Sequence, residues 1–151
     1  MKKSSKKGFT LIELVVTIGL FSIVGTLCAT LIFIGIRHSR QNAERSAFQI
    51  GVNKFVAIVN NHVNSGGNGD ISVTVNGDQV EIEIISRSDK QIYNFNEETK
   101  QLLLSEDGGE VIIAPYVKDV DFSYDTTKKL LNIKVQSDFD DGWLETSFYI
   151  R

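Results

Sequence analysis

The chain has 151 residues, with one proline, one cysteine, 42% hydrophobic residues and a formal net charge of -3. Four of its 16 basic residues lie within the first seven positions, so the rest carries 12 bases against 19 acids, a net charge of -7. An acidic body lacks the basic face that nucleic-acid binding requires. A single cysteine excludes an internal disulfide framework.

Residues 1–8 form a lysine-rich leader, and an uncharged apolar run extends from Leu14 to Ile36. The run is longer than the apolar core of a secretory signal, which has about 7 to 15 residues, and no small-residue cleavage site follows it. Cys28 does not mark a lipoprotein signal, because Leu27 stands where a small residue is required. Since about 20 apolar residues span a membrane, residues 9–36 are predicted to form a transmembrane helix. The leader lysines predict a cytoplasmic N-terminus and an exported remainder.

An acidic residue, Glu13, lies at the start of this apolar segment. A charged side chain at the centre of a membrane helix costs about 2.5 to 3.5 kcal/mol on insertion scales, and such residues are usually functional. Glu13 is therefore a candidate functional residue.

The order of a lysine-rich leader, Gly8, Phe9-Thr10-Leu11-Ile12-Glu13 and a long apolar helix resembles the class III signal of type IV prepilins and pseudopilins. The resemblance implies that a prepilin peptidase cuts between Gly8 and Phe9 on the cytoplasmic side of the membrane. It also implies that the enzyme methylates the new amino group of Phe9. Glycine suits the cleaved position because it has no side chain to obstruct close approach of the backbone.

The same resemblance implies that Glu13 acts in assembly. Cleavage creates an ammonium at Phe9, one helical turn before Glu13. Two pairings are open for the Glu13 carboxylate: one with the Phe9 amine of the same chain, and one with the Phe9 amine of a neighbouring subunit. The family favours the second, which would also relieve the cost of an unpaired acid in hydrocarbon. Thr10 is expected either to add a hydroxyl contact here or to bond its own helix backbone.

Residues 37–65 predict a second, amphipathic half of the same helix. After a polar segment, apolar residues recur at helical spacing: Phe48, Val52, Phe55, Val56, Val59 and Val63. This stripe predicts a face that covers a sheet, and Gly66-Gly67 is expected to end the helix. Counted from Phe9, the helix has about 55 residues and a length of about 80 Å. Its first half therefore requires lipid and then, if the resemblance holds, neighbouring subunits.

Residues 66–151 change to the alternating pattern of strands. The segments 71–75 and 80–84 flank Asn76-Gly77 and predict a hairpin. The stretches 93–103 and 122–131 each predict strand, polar turn and strand, and 143–150 predicts a last strand. The expected fold is α+β, with residues 37–65 packed on an antiparallel sheet of six or seven strands as one globular domain. The order of the later segments also resembles minor pilins of the J or W type.

Enzymatic and metal sites find no support in the sequence, which lacks the GxSxG, HExxH and phosphate-loop patterns. His38 and His62 have no ligand neighbours and are predicted to be solvated polar residues. The acids of segment 138–145 superficially resemble a calcium loop, but Gly142 comes one position too early and the closing acid is missing. No catalytic residue, cofactor or metal is expected.

These patterns predict a minor pilin or pseudopilin, a structural subunit of a type IV pilus-like filament that serves as a pilus, in competence and DNA uptake, or in type II secretion. Its expected partners are other pilins, prepilin peptidase, a membrane assembly platform with its ATPase, and the bilayer before assembly. No small-molecule substrate is expected. The chain would start as a single-pass protein of the cytoplasmic membrane and end in a surface or periplasmic filament. The alternative is a permanently anchored extracytoplasmic binding protein whose leader only mimics the signal.

Overall fold

The structure, a computed structural model, describes residues 10–67, 70–106 and 108–150. Within these residues it contains one helix, α1 (Leu11–Ser65), and eight strands. The strands are β1 (Ile71–Asn76), β2 (Gln79–Ile84), β3 (Asp89–Asn96), β4 (Gln101–Glu106), β5 (Gly109–Pro115), β6 (Val117–Asp125), β7 (Leu130–Ser137) and β8 (Trp143–Tyr149).

The chain divides into two compact units, one that ends at Asn42 and one that begins at Ala43, and α1 contributes to both. In the first unit, the large apolar side chains from Leu11 to Ile36 are between 46% and 83% exposed. This part of α1 is long and apolar enough to cross a membrane. The finding is consistent with a membrane-anchored, single-pass protein.

The second unit has its core between residues 43–65 of α1 and the strands. The predicted stripe is confirmed: five of its six residues are buried, and Val56 is half-buried against the same core. Phe55 is fully buried and meets the ring of Tyr93 edge-on, with the centroids 5.2 Å apart. Burial of an aromatic pair in this way stabilises the helix on the sheet.

The strands form two antiparallel sheets, with β1 to β5 in sequence order in one and β6 to β8 in the other. The α+β class is confirmed, and the predicted end of the helix at Gly66-Gly67 agrees with its last residue, Ser65. The number of strands is eight rather than six or seven, and they occupy two sheets rather than one. The strand missing from the prediction is β5, whose register shifts opposite Leu102 and Leu103. The bulge at Ile113 places two adjacent residues, Ile113 and Ala114, in the core. The four residues before them are all exposed, so β5 shows no alternation of buried and exposed residues.

The predicted turns are present. Gly77, with φ of 58°, takes the first position of the two-residue turn between β1 and β2, where a type II′ turn requires positive φ. The stretches 93–103 and 122–131 contain matching four-residue turns. In one, Asn96 Oδ1 accepts two backbone N–H groups and Lys100 has φ of 54°; in the other, Asp125 Oδ1 does the same and Lys129 has φ of 52°.

The prediction that His62 is solvated was wrong. His62 is 5% exposed, and its Nε2 lies 3.2 Å from the carbonyl oxygen of Ile82 on β2. Since a carbonyl only accepts, Nε2 carries the proton. Nδ1 lies 3.9 Å from the carboxylate of Asp89 on β3. His62 is thus a hydrogen-bonded core residue, because it lies one turn beyond Val59, on the helix face that the sheet covers.

Candidate processing and assembly segment

The described part of the chain begins at Thr10. The predicted cleavage and methylation positions, Gly8 and Phe9, lie outside the described residues. The predicted assembly residues Thr10 and Glu13 lie inside them, at the N-terminus of α1.

Thr10 and Glu13 bond each other reciprocally. The backbone N–H of Thr10 donates to Glu13 Oε2 at 2.9 Å, and the Thr10 hydroxyl donates to the same oxygen at 2.8 Å. In return, the backbone N–H of Glu13 donates to Thr10 Oγ1 at 3.3 Å. This is a capping box, in which a threonine and a glutamate three residues later satisfy N–H groups at the helix start.

The capping box gives Glu13 a partner that neither predicted pairing included. A capping side chain contributes about 1 kcal/mol. Glu13 is the third residue of α1, away from the helix centre to which the cost of about 2.5 to 3.5 kcal/mol applies. The cap reduces the cost of the charge without supplying a counter-ion. Glu13 Oε1 has no hydrogen-bond partner among the described residues, so the carboxylate has an oxygen left for a cation.

This contact was recognisable in the sequence. Threonine followed three residues later by glutamate, just before an apolar run, is the signature of a capping box. Thr10 bonds its own helix backbone, as one of its two expected roles requires, because its hydroxyl accepts the N–H of Glu13. A hydroxyl contact of Thr10 at a junction between subunits stays a prediction.

Other hydroxyl groups of the apolar segment bond the helix backbone. Each donates to the carbonyl oxygen four residues earlier, at distances from 2.6 to 2.9 Å: Thr17, Ser22, Thr26 and Thr30. Hydrogen bonds within one helix are required where lipid replaces water. These residues therefore let the segment enter a membrane without unpaired hydroxyl groups, and α1 runs through them without a break.

The acidic segment that resembled a calcium loop is engaged with lysines. Asp141 Oδ1 lies 2.7 Å from Lys118 Nζ, and this hydrogen bond holds the pKa of Asp141 below its usual range. Glu145 lies 3.3 Å from Lys134. Within the described residues, no three His, Cys, Asp or Glu side chains are grouped so that they could hold a metal ion. Two of the four acids of this segment, Asp141 and Glu145, are thus paired with lysines.

Comparison with known proteins gives one match. The model of the prokaryotic N-terminal methylation motif matches residues 3–29, which include the segment from Gly8 to Glu13. No curated protein and no solved structure matches the chain. The matched motif supports a type IV prepilin-like protein, and it suggests a structural protein rather than an enzyme.

Proposed function

We propose that this chain is a minor pilin or pseudopilin, a structural subunit of a type IV pilus-like filament. The observation that carries the proposal is the methylation motif over residues 3–29, whose described residues from Leu11 onward lie on a helix with a half-satisfied acid in its first turn. The filament would be a pilus, a DNA-uptake pilus or a type II secretion pseudopilus, because all three use the same N-terminal chemistry.

Processing is the first proposed step. Prepilin peptidase cuts the Gly8–Phe9 bond on the cytoplasmic side and methylates the freed amine. Thr10 and Glu13 both remain in the mature chain, so their capping box survives the cut. The cut removes four lysines and leaves one ammonium at Phe9, one helical turn from Glu13.

Assembly is the second step. Glu13 of an incoming subunit keeps its cap to Thr10 through Oε2 and pairs through Oε1 with the Phe9 ammonium of a subunit already in the filament. A hydrogen bond between charged groups is roughly twice as strong as one between neutral groups. The pairing would therefore offset the cost that the cap leaves and would fix the axial register of the two helices.

The exposed apolar half of α1 supports this proposal. Its side chains have no cover in the chain itself, with Leu11 at 83% and Phe33 at 71% exposure. Lipid covers them before assembly, and the helices of other pilins cover them afterwards. A membrane platform and its ATPase would supply the work of extraction. The N-terminus lies in the cytoplasm before extraction, and the second unit lies outside.

Two substitutions of Glu13 test the ion pair against the helix cap. Glu13→Val removes both interactions. Glu13→Gln keeps the capping box, which accepts glutamine, but removes the negative charge. Each variant is expressed in the producing cell, filaments are sheared off, or isolated from the periplasm, and the chain in them is quantified.

We expect both variants to be cleaved normally and to be at least tenfold depleted from filaments. Normal incorporation of Glu13→Gln would assign Glu13 to the cap and contradict the ion pair. Normal incorporation of Glu13→Val would remove the assembly role altogether. A bulky substitution such as Gly8→Phe is expected to leave the leader attached, which is read from the mass of the N-terminal peptide.

A further inference from the structure

Strands β5 and β8 each end a sheet, whereas the other two terminal strands, β1 and β6, contact each other. Proteins usually protect such edges with bulges, prolines or charges, because the unpaired backbone groups attract other strands. β5 is protected by its register shift and by Pro115 at its end. β8 pairs with β7 in unbroken register over seven residues and has one charged side chain, Glu145. The edge of β8 is therefore the one open to pairing.

The backbone of β8 presents its outward groups in a regular order. Ile150 donates its N–H to the carbonyl of Lys129 at 2.8 Å, so the backbone of Ile150 faces β7. Residues of an antiparallel strand alternate between their two neighbours. Four residues of β8 therefore direct N–H and C=O away from β7: Trp143, Glu145, Ser147 and Tyr149.

Two cavities, together called the groove, lie between α1 and this edge. A cavity of about 250 Å³ is lined by Arg45 and Phe48 of α1 and by Trp143 and Leu144 at the start of β8. A second cavity, of about 210 Å³, is lined by Asn60 and Asn64 together with residues 147–149 at the end of the strand. Fifteen helical residues cover about 22 Å and six strand residues about 20 Å. The two cavities therefore lie at opposite ends of β8.

The groove suits a strand with one apolar side chain. Each cavity is smaller than the roughly 300 to 1,000 Å³ of small-molecule pockets. Leu144 is 49% exposed and Trp143 41% exposed beside the first cavity. Arg45 has no ion-pair partner among the described residues, whereas Asp140 in the same cavity already accepts the N–H of Gly142 at 3.2 Å. Arg45 is the basic side chain that an acidic group of a partner would meet at this cavity.

A second copy of β8 does not fit this site in a filament. Two β8 edges that pair antiparallel are related by a twofold axis perpendicular to the sheet. That axis reverses the direction of residues 43–65 of α1 between the two copies. In the filament proposed above, subunits that enter from one membrane share one orientation, so the occupant comes from a strand other than a second β8.

We propose that β8 accepts an antiparallel strand from a different pilin-like subunit of the same filament. That strand places an apolar side chain against Phe48 and Leu144 and an acidic group beside Arg45. Its backbone bonds the outward groups of β8, which is the established mode of recognition by strand addition. The partner's identity as a pilin rests on the function proposed above.

The test uses the full chain in the producing cell. The photoreactive residue p-benzoylphenylalanine replaces Trp143 or Tyr149 on β8, and Val111 on β5 serves as the protected-edge control. After irradiation, filaments are isolated and crosslinked peptides are identified by mass spectrometry. The experiment is repeated with Ser147→Pro and Ser147→Ala. Both lose the hydrogen bond from the Ser147 hydroxyl to Asn132, but only proline removes an outward N–H.

We expect both β8 positions to crosslink to one segment of another pilin-like subunit. Position 143 should reach a residue nearer the C-terminus of that segment than position 149 does, because the strands are antiparallel. Ser147→Pro should lower the yield at least tenfold, and Ser147→Ala should leave it unchanged. Ser147→Lys, which blocks the edge by its charge, should lower the yield as Ser147→Pro does. This variant still tests the proposal if the proline variant does not fold.

Several results would overturn the proposal: equal crosslinking from Val111, the opposite residue order, yields that survive both blocking variants, or filaments that contain the chain without any β8 crosslink. A chain that never enters filaments would instead contradict the proposed function, and its uncut N-terminus would identify that failure separately.

Discussion

The two halves of helix α1 are both apolar but for different reasons. From Leu11 to Ile36 the large apolar side chains are at least 46% exposed, whereas Phe48, Phe55 and Val59 are at most 4% exposed. The second half buries its stripe against the sheets of its own chain. The first half has no such cover among the described residues, which is consistent with a membrane anchor. One helix thus combines a buried folding face with an exposed apolar segment, for which we propose a role in assembly.

The largest difference is expected between two phenylalanines. Phe55→Ala removes a fully buried ring and its contact with Tyr93, and should lower the free energy of unfolding by about 3 to 5 kcal/mol. Phe33→Ala, at a position with 71% exposure, should leave it unchanged. The measurement is urea unfolding of the full chain in detergent, followed by fluorescence of the single tryptophan, Trp143. Equal losses would show that the first half also supports the fold.

Two glycines give the next contrast. A Cβ at Gly51 would lie 2.6 Å from the Cα of Ala114, so Gly51→Ala must push the helix away from β5 and should cost about 1 to 3 kcal/mol. At Gly35 nothing lies within 4 Å, and Gly35→Ala should be neutral or slightly stabilising in the same unfolding experiment. A neutral Gly51→Ala would mean that helix and β5 are not tightly packed.

Substitutions of the two histidines should differ by less in their effect on the free energy of unfolding. His62→Phe keeps a ring in the buried position but removes the hydrogen bond to the Ile82 carbonyl, which should cost about 1 kcal/mol. His38→Phe, at an exposed position, should change the free energy of unfolding little. Chemical denaturation at pH 7 distinguishes the two. If His62→Phe is as stable as the unmodified chain, the hydrogen bond contributes nothing.

The smallest expected effect concerns Asp70, a half-buried residue in the connection between α1 and β1. Its carboxylate accepts hydrogen bonds from the backbone and side chain of Ser86, and the side-chain bond is the main cause that holds the pKa of Asp70 below its usual range. The stabilisation is therefore present above a pH of about 4, the unfolded value, and is lost as pH falls towards the folded pKa. Asp70→Asn should be less stable than the unmodified chain at pH 7. The difference should shrink towards pH 2.5, and a difference independent of pH would contradict this assignment.

The sequence predicted those parts of the fold whose signal is periodic. Spacing and turn chemistry alone predict three features: the helical stripe from Phe48 to Val63, the hairpin at Gly77, and the turns in the stretches 93–103 and 122–131. Strand β5 was missed because its residues do not alternate. The division into two sheets arises because the consecutive strands β5 and β6 do not pair, and alternation along a strand does not report which strands pair. The prediction that His62 is solvated was wrong because it rested on the residue type. Its position, one turn beyond Val59 on the buried helix face, indicates burial instead.

The assembly segment shows a similar division. The motif from Gly8 to Glu13 predicted the position of the candidate site. The capping box of Thr10 and Glu13 was readable as a local pattern but was overlooked beside the charge argument. The proposed pairing of Glu13 with a second chain involves residues of two molecules, so one chain cannot show it. One chain shows only an acid at the start of an apolar helix with one of its two oxygens hydrogen-bonded.

The central claim is that the first half of α1 serves assembly after processing. The most direct test is the mass of the N-terminal peptide of the chain isolated from filaments of the producing cell. The account predicts a chain that begins at Phe9 and carries a methylated amino group. An intact terminus at Met1, in cells with active prepilin peptidase, would contradict it and would indicate a permanently anchored protein.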